Sequence, residues 1–156
     1  MNTRLHTRQK GIYTVEFAIV GAVLFLIVFG AIEIARAMFA YNTIAEATRR
    51  GARVAAVCSP GDWATARRAA VFGTADGESP ILRGLTTDMV VVVAVPDPET
   101  GATVAVQVSI TGYEHRLLIP FVNVTLGEEV FTSTTTLPAE SLGYAPDPGT
   151  NPCSGA

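Results

Sequence analysis

GIYTVEFAIVGAVLFLIVFGAIEIARAMFAYNTIAEATRRGARVAAV, residues 11–57, is the stretch whose reading decides the fold. From Phe17 to Ile32 it carries no charged side chain, and Ile12 to Val15 extend the apolar run to 21 residues with Glu16 as the one interruption. At 1.5 Å of rise per residue that is about 30 Å of helix, the hydrocarbon thickness of a bilayer. An ionised carboxylate without a partner at such a depth costs about 3 kcal/mol or more. Glu16 therefore needs an explanation from outside the run itself.

A secretory signal would be cut after small residues at the far end of the run, yet Glu33-Ile-Ala-Arg-Ala37 carries on as amphipathic helix, which favours a retained span. Arg4, Arg8 and Lys10 precede the span, and within about fifteen residues after it stands only Arg36. This predicts an N-terminus on the cytoplasmic side and a body outside, although Arg49, Arg50 and Arg53 follow slightly farther on. No proline occurs from the span until Pro60, so the helix is expected to run on past the membrane. Ile34, Met38, Tyr41, Ala45, Thr48, Ala52 and Ala55 recur at alternating spacings of four and three and predict one packing face. Glu33 with Arg36, and Glu46 with Arg49 and Arg50, are assigned to the more polar side as a solvated face, with a lipid-headgroup or partner-binding role for the arginines as the alternative. Gly51 either admits a close neighbour or weakens the helix.

With 156 residues, the chain has room for one modest domain beyond the span. Hydrophobic residues make up 49% and charged ones 16%, a membrane-leaning balance that comes mainly from this one segment. A cut after Gly11 would remove three basic residues and no acidic one, taking the net charge from −3 to −6. An acidic remainder without a broad basic patch argues against a nucleic-acid partner.

In the body, Asp62 to Phe72 reads as a short packing helix with Trp63, Ala66 and Ala70 on one face, and Gly73 to Pro80 as a loop. Three runs have strand character: Met89 to Val95, Ala102 to Ile110, and Val130 to Leu137. The turn-rich Pro96 to Gly101 joins the first two as an antiparallel hairpin, and the threonine-rich third run suits a sheet edge. Leu117 to Leu126, which contains Pro120, reads as a loop or short strand over the sheet. The apolar face of such a sheet needs a cover, and the outer half of the long helix is the largest apolar surface available. The expected class is α+β: a long N-terminal transmembrane and amphipathic helix packed on a small antiparallel sheet, followed by an irregular tail from 141 to 156.

Chemistry-bearing clusters are sparse. His6 and His115 are too isolated for a triad or metal cluster, and the acid pairs Asp97 with Glu99 and Glu128 with Glu129 lack a calcium-loop pattern, so solvated turns are the reading. No cofactor and no enzymatic activity are expected. Asn123-Val-Thr125 matches the glycosylation acceptor pattern, which arises readily by chance. Cys58 and Cys153 are too far apart for a CxxC motif. They form one disulfide if the body is exported, with two free thiols as the alternative.

Val15-Glu-Phe-Ala-Ile-Val, Phe29-Gly-Ala-Ile-Glu33, Tyr41-Asn42 and Arg50-Gly-Ala-Arg-Val-Ala-Ala56 closely resemble the TadE-like proteins. These are small membrane-anchored minor pilins, or pseudopilins, of tight-adherence (Flp, type IVc) pilus systems. The resemblance is strong from Gly11 to Val57 and weaker beyond, where the Val-rich and Thr-rich strands ending in Pro138-Ala-Glu140 agree in general pattern. Glu16 is fifth if Ile12 is counted as first, the layout of a prepilin leader and its cut. The resemblance implies cleavage by a prepilin peptidase between Gly11 and Ile12, and pairing of Glu16 with the freed α-amine of a neighbouring subunit. It also implies an inner-membrane location, with other pilin subunits, the assembly platform and membrane lipid as partners. One departure is Gly21-Ala22, where a Leu-Pro pair is common in the family, so a proline-induced break should be absent or softer. Ile12 in place of the more usual Phe is not expected to block cleavage.

The implied organisation is a leader at 1–11, a helix at 12–57 that crosses the membrane over about 12–32, an exported domain at 58–140 and the tail. A minor pilin that primes or supports pilus assembly in surface adhesion is the expected function. The alternative is a permanently anchored, exported adhesin or binding module that never enters a filament. A major pilin is disfavoured by chain length.

Overall fold

A computed structural model of the chain describes residues 10–73, 77–118, 124–142, 144 and 153. Helix α1, Lys10–Val57, is unbroken over 48 residues, including Gly21-Ala22. After a 3₁₀ turn at Pro60–Asp62 comes α2, Trp63–Ala70. The sheet region follows: β1 (Val90–Pro96), β2 (Thr103–Ile110), the two-residue β3 (His115–Arg116) and β4 (Thr125–Leu126), a single helical turn α3 (Glu128–Phe131), and β5 (Ser133–Pro138). The class is α+β, a long apolar helix packed on a small antiparallel sheet.

Strand β2 is central, flanked antiparallel by β1 and β5, so Val92 stands opposite Val108 and Val108 opposite Thr135. Alternation decides the faces. Val90, Val92, Val106, Val108 and Ile110 are buried against α1 and α2, while Val91, Val93 and Val104 point outward. The β1–β2 hairpin is held by Asp97, whose Oδ1 accepts from the N–H groups of Glu99 and Thr100, each at 2.9 Å. Those bonds, Thr100 first, draw the Asp97 carboxyl below its ordinary value.

Small residues let α1 lie close to its cover. Ala40, Ala47, Ala52, Ala55 and Ala56 are buried with Ile44 and Thr48. At Gly51 an added Cβ would sit 3.0 Å from the Ala70 Cβ and 3.3 Å from Val108 Cγ1. The packing face therefore differs in part from the one predicted. Thr48, Ala52 and Ala55 lie on it, whereas Ile34, Met38 and Tyr41 are exposed. The domain accepts the row of smallest side chains, because they allow the closest approach, and the larger apolar residues are left outside.

Polar side chains join the helix to the edge strand. Thr135 Oγ1 donates to Thr48 Oγ1 at 3.0 Å, and Ser133 Oγ lies 3.2 Å from the same oxygen. Where α1 ends its carbonyls lack helical partners. Glu140 N–H donates to Ala56 O at 3.1 Å and Ser141 Oγ to Val57 O at 3.2 Å, so the Pro138-Ala-Glu140 segment caps the helix. One residue farther, Cys58 is disulfide-bonded to Cys153, and Thr65 Oγ1 donates to the Cys153 carbonyl.

The third predicted strand starts later than expected. Val130 and Phe131 belong to α3, and the strand begins at Ser133. Phe131 is buried edge-on to Tyr113, with ring centroids 5.5 Å apart, and a continuous strand would not carry its ring there. Within Leu117 to Leu126, Thr125–Leu126 pairs with His115–Arg116; Pro120 and Asn123, like His6, Arg4 and Arg8, lie outside the described residues.

Candidate functional site: the exposed helix and its point of entry into the domain

Two stretches of α1 hold the carboxylates of interest. The first is the start of the span. Ile12 and Glu16 lie one helical turn apart, on the same side of the helix by spacing. Ile12 is 66% exposed, and Val15, Phe17, Ile19 and Val20 around Glu16 are exposed as well. No ion pair reaches Glu16 among the described residues. A Cβ added to Gly11 would meet no atom of the described residues within 4 Å, so packing among them does not require glycine at that position. Gly21 and Gly30 are equally open.

The second stretch is where the exposed apolar half of α1 meets the domain. Glu33 is only 5% exposed, although the sequence assigns it to the polar side. Its carboxylate pairs with Arg36 one turn on, with Arg36 Nη1 2.8 Å from Oε2, and the same Oε2 accepts from Leu118 N–H at 3.1 Å. A loop 85 residues distant in sequence is thus fastened to the helix at the end of the domain nearest the exposed apolar half of α1. The overlooked signal is a carboxylate set between Ile32 and Ile34 with an arginine three residues on: solvation alone does not suit that position.

Tyr113 and His115 pack on Phe131 beside this pair. Burial pushes the Tyr113 hydroxyl above its ordinary pKa and the His115 imidazole below its own, and nearby Arg36 lowers both. Nε2 of His115 is buried without a hydrogen-bond partner among the described residues. Ile32, Arg36, Arg83, His115, Arg116 and Leu118 help to line a cleft of about 1050 Å³ between α1 and these loops.

Elsewhere, Arg50 lies over the Phe72 ring, its guanidinium carbon 5.5 Å from the centroid, and Arg49 reaches Glu46 at 3.8 Å. Phe72 takes a left-handed backbone with φ of 66°, which turns its ring back toward α1. No group of three or more potential metal-ligating side chains occurs among the described residues.

The arrangement is that of an α+β domain hung on one helix whose N-terminal part is long and apolar enough to cross a membrane, and which is therefore compatible with a single-pass anchor. The family model for TadE-like protein matches residues 11–53, so over that stretch the chain is similar to TadE-like proteins. No curated protein and no solved structure matches the chain.

Proposed function

We propose that this chain is a minor pilin or pseudopilin, a non-catalytic component that primes or supports assembly of a tight-adherence pilus from the inner membrane. The observation that carries the proposal is Glu16: a carboxylate on an exposed apolar helix, one turn from Ile12, without an ion-pair partner among the described residues. Such a group gains most when a cation arrives with a second helix, and an α-amine freed at Ile12 of a neighbouring subunit meets that need. Gly11 fits the same reading, since a glycine that internal packing does not require is available to satisfy a peptidase. The N-terminus then faces the cytoplasm and the domain the far side, where the Cys58–Cys153 bond persists. The TadE-like match of 11–53 supports a pilus-system role in general.

Intact mass of the chain recovered from its native membrane tests this. Loss of residues 1–11 is expected, together with its absence in Gly11→Leu. An uncleaved wild-type mass overturns the pilin reading in favour of a permanently anchored exported module. The Glu16→Gln variant should be cleaved and membrane-bound yet fail to co-purify with other pilus subunits.

A further inference from the structure

We propose that the cleft beside Arg36 is a docking site for the phosphate of an anionic phospholipid headgroup, which seats the domain on the bilayer that its own helix crosses. The inference rests on residues 12–32 being the span, and it concerns side chains that the assembly reading leaves without a role.

Position comes first. With a span ending at Ile32, Arg36 stands four residues, about 6 Å, farther along the helix, and Phe39 about 10 Å. The headgroup layer on each side of a bilayer is roughly 5 to 8 Å deep. The cleft, whose lining runs along α1 from Ile32 to Phe39, therefore opens at headgroup level.

Chemistry comes second. Arg83 and Arg116 reach this cleft from separate parts of the chain with no ion pair among the described residues, beside Arg36, which is paired with Glu33, and with Glu114 as the exposed acid of the lining. A chain with net charge −3 concentrates cations here, and arginine's planar fork suits phosphate oxygens. His115 contributes a second, independent observation: it is 5% exposed, lines the cleft, and leaves Nε2 without a partner among the described residues. The rim supplies the rest of a lipid's requirements, because Ile32, Ile81 and Leu118 are exposed apolar groups on the same cleft. Phosphate against the arginines with acyl chain against these side chains is the arrangement an amphipathic ligand matches; a soluble phosphate uses only half of it.

The test uses the full chain in nanodiscs, one copy per disc, with amide hydrogen exchange read over residues 81–84 and 113–118. In phosphatidylglycerol discs these amides should exchange several-fold more slowly than in phosphatidylcholine discs. Each arginine contributes about fivefold to docking on an anionic surface, so the double variant Arg83→Gln/Arg116→Gln should lose most of the difference. Both side chains are exposed, and an intact disulfide with unchanged exchange in β2 verifies folding. Equal exchange in the two lipids, or an undiminished difference in the double variant, overturns the proposal. So does equal slowing by inorganic phosphate in phosphatidylcholine discs, which points to a free anion, or slowing only with two copies per disc, which points to a second subunit. Failure of the chain to float with vesicles of either lipid refutes the span itself; flotation with both but no headgroup-dependent protection refutes the cleft alone.

Discussion

Gly30 and Gly51 lie on the same helix, and a methyl group added to each would meet opposite surroundings. At Gly30 nothing lies within 4 Å, whereas at Gly51 the Ala70 Cβ is 3.0 Å away and the Ala66 carbonyl oxygen 3.4 Å. The contrast holds for the two halves of α1 as wholes. Every large apolar side chain from Ile12 to Ile32 is at least 43% exposed, while the outer half buries a row of small ones from Ala40 to Ala56. The outer half is specified by contacts inside the chain, so its mutations should register as stability. On the proposed reading the inner half is specified by lipid and neighbouring molecules, so its mutations should register in processing and assembly with the domain left intact.

The strongest attempt to break that contrast is removal of the disulfide. Cys58 and Cys153 are separated by 95 residues, and on the chain-entropy account closing a loop of that size stabilises by about 4.7 kcal/mol. Cys58→Ser should lower the urea midpoint of the domain by a corresponding amount, and wild type in reductant should behave the same way. A domain whose midpoint ignores both would show that the tail merely rests on the helix end.

Next in size is a matched pair of substitutions. Gly51→Leu forces a side chain between α1, α2 and β2, where Ala70 can yield only by moving its own helix, and a loss of about 3 kcal/mol is expected. Gly30→Leu should leave the unfolding midpoint within error. Equal losses at the two sites would mean that the inner half is packed against the domain after all.

A third substitution addresses the junction. Glu33→Ala removes the acceptor of Leu118 N–H and the partner of Arg36, at an expected cost of about 1 to 2 kcal/mol. The figure is kept low because the Arg36 side chain is 38% exposed and water can resolvate it. Glu33→Gln keeps an acceptor for the amide and should recover part of the loss. Glu16→Gln, the matching change in the inner half, should not move the midpoint.

Much of the architecture was legible because its periodicities are simple. The proline-free run to Val57 gave the helix, the alternation of Val104, Val106, Val108 and Ile110 gave the central strand, and the Pro96–Gly101 cluster gave the hairpin. What escaped depends on contacts between distant residues. Periodicity cannot choose between two adjacent helix faces that are both apolar, so Ile34, Met38 and Tyr41 were assigned inward, although close approach favours the alanine and glycine row. Phe131 breaks a β pattern because the gap beside Tyr113 is filled by a helical turn, and Glu33 is buried because a loop 85 residues away supplies an N–H. Gly11, Ile12 and Glu16 stand out for the opposite reason: no contact among the described residues accounts for them, and their proposed role rests on the mass experiment.

The smallest expected effect separates the two halves by pH. His115 belongs to the outer region and is buried against Phe131 beside Arg36, with Arg116 and Glu114 as its charged chain neighbours. Burial first, and Arg36 second, hold its pKa below the ordinary 6.5. The unfolded chain therefore takes up a proton at His115 near pH 6.5, while the folded chain does so only at lower pH. Between those values the unfolded state binds more protons, so stability rises with pH. This contribution is fully present above about pH 6.5, declines as pH falls through 6.5 toward the folded value, and then levels off. Urea midpoints measured from pH 7.5 down to 5.0 should show this decline in wild type and a flatter profile in His115→Gln. Glu16→Gln should retain the wild-type decline, because no ion pair among the described residues links that carboxylate to the domain. A decline that persists in His115→Gln would assign the effect to another group, and one that disappears in Glu16→Gln would erase the division between the two halves of the helix.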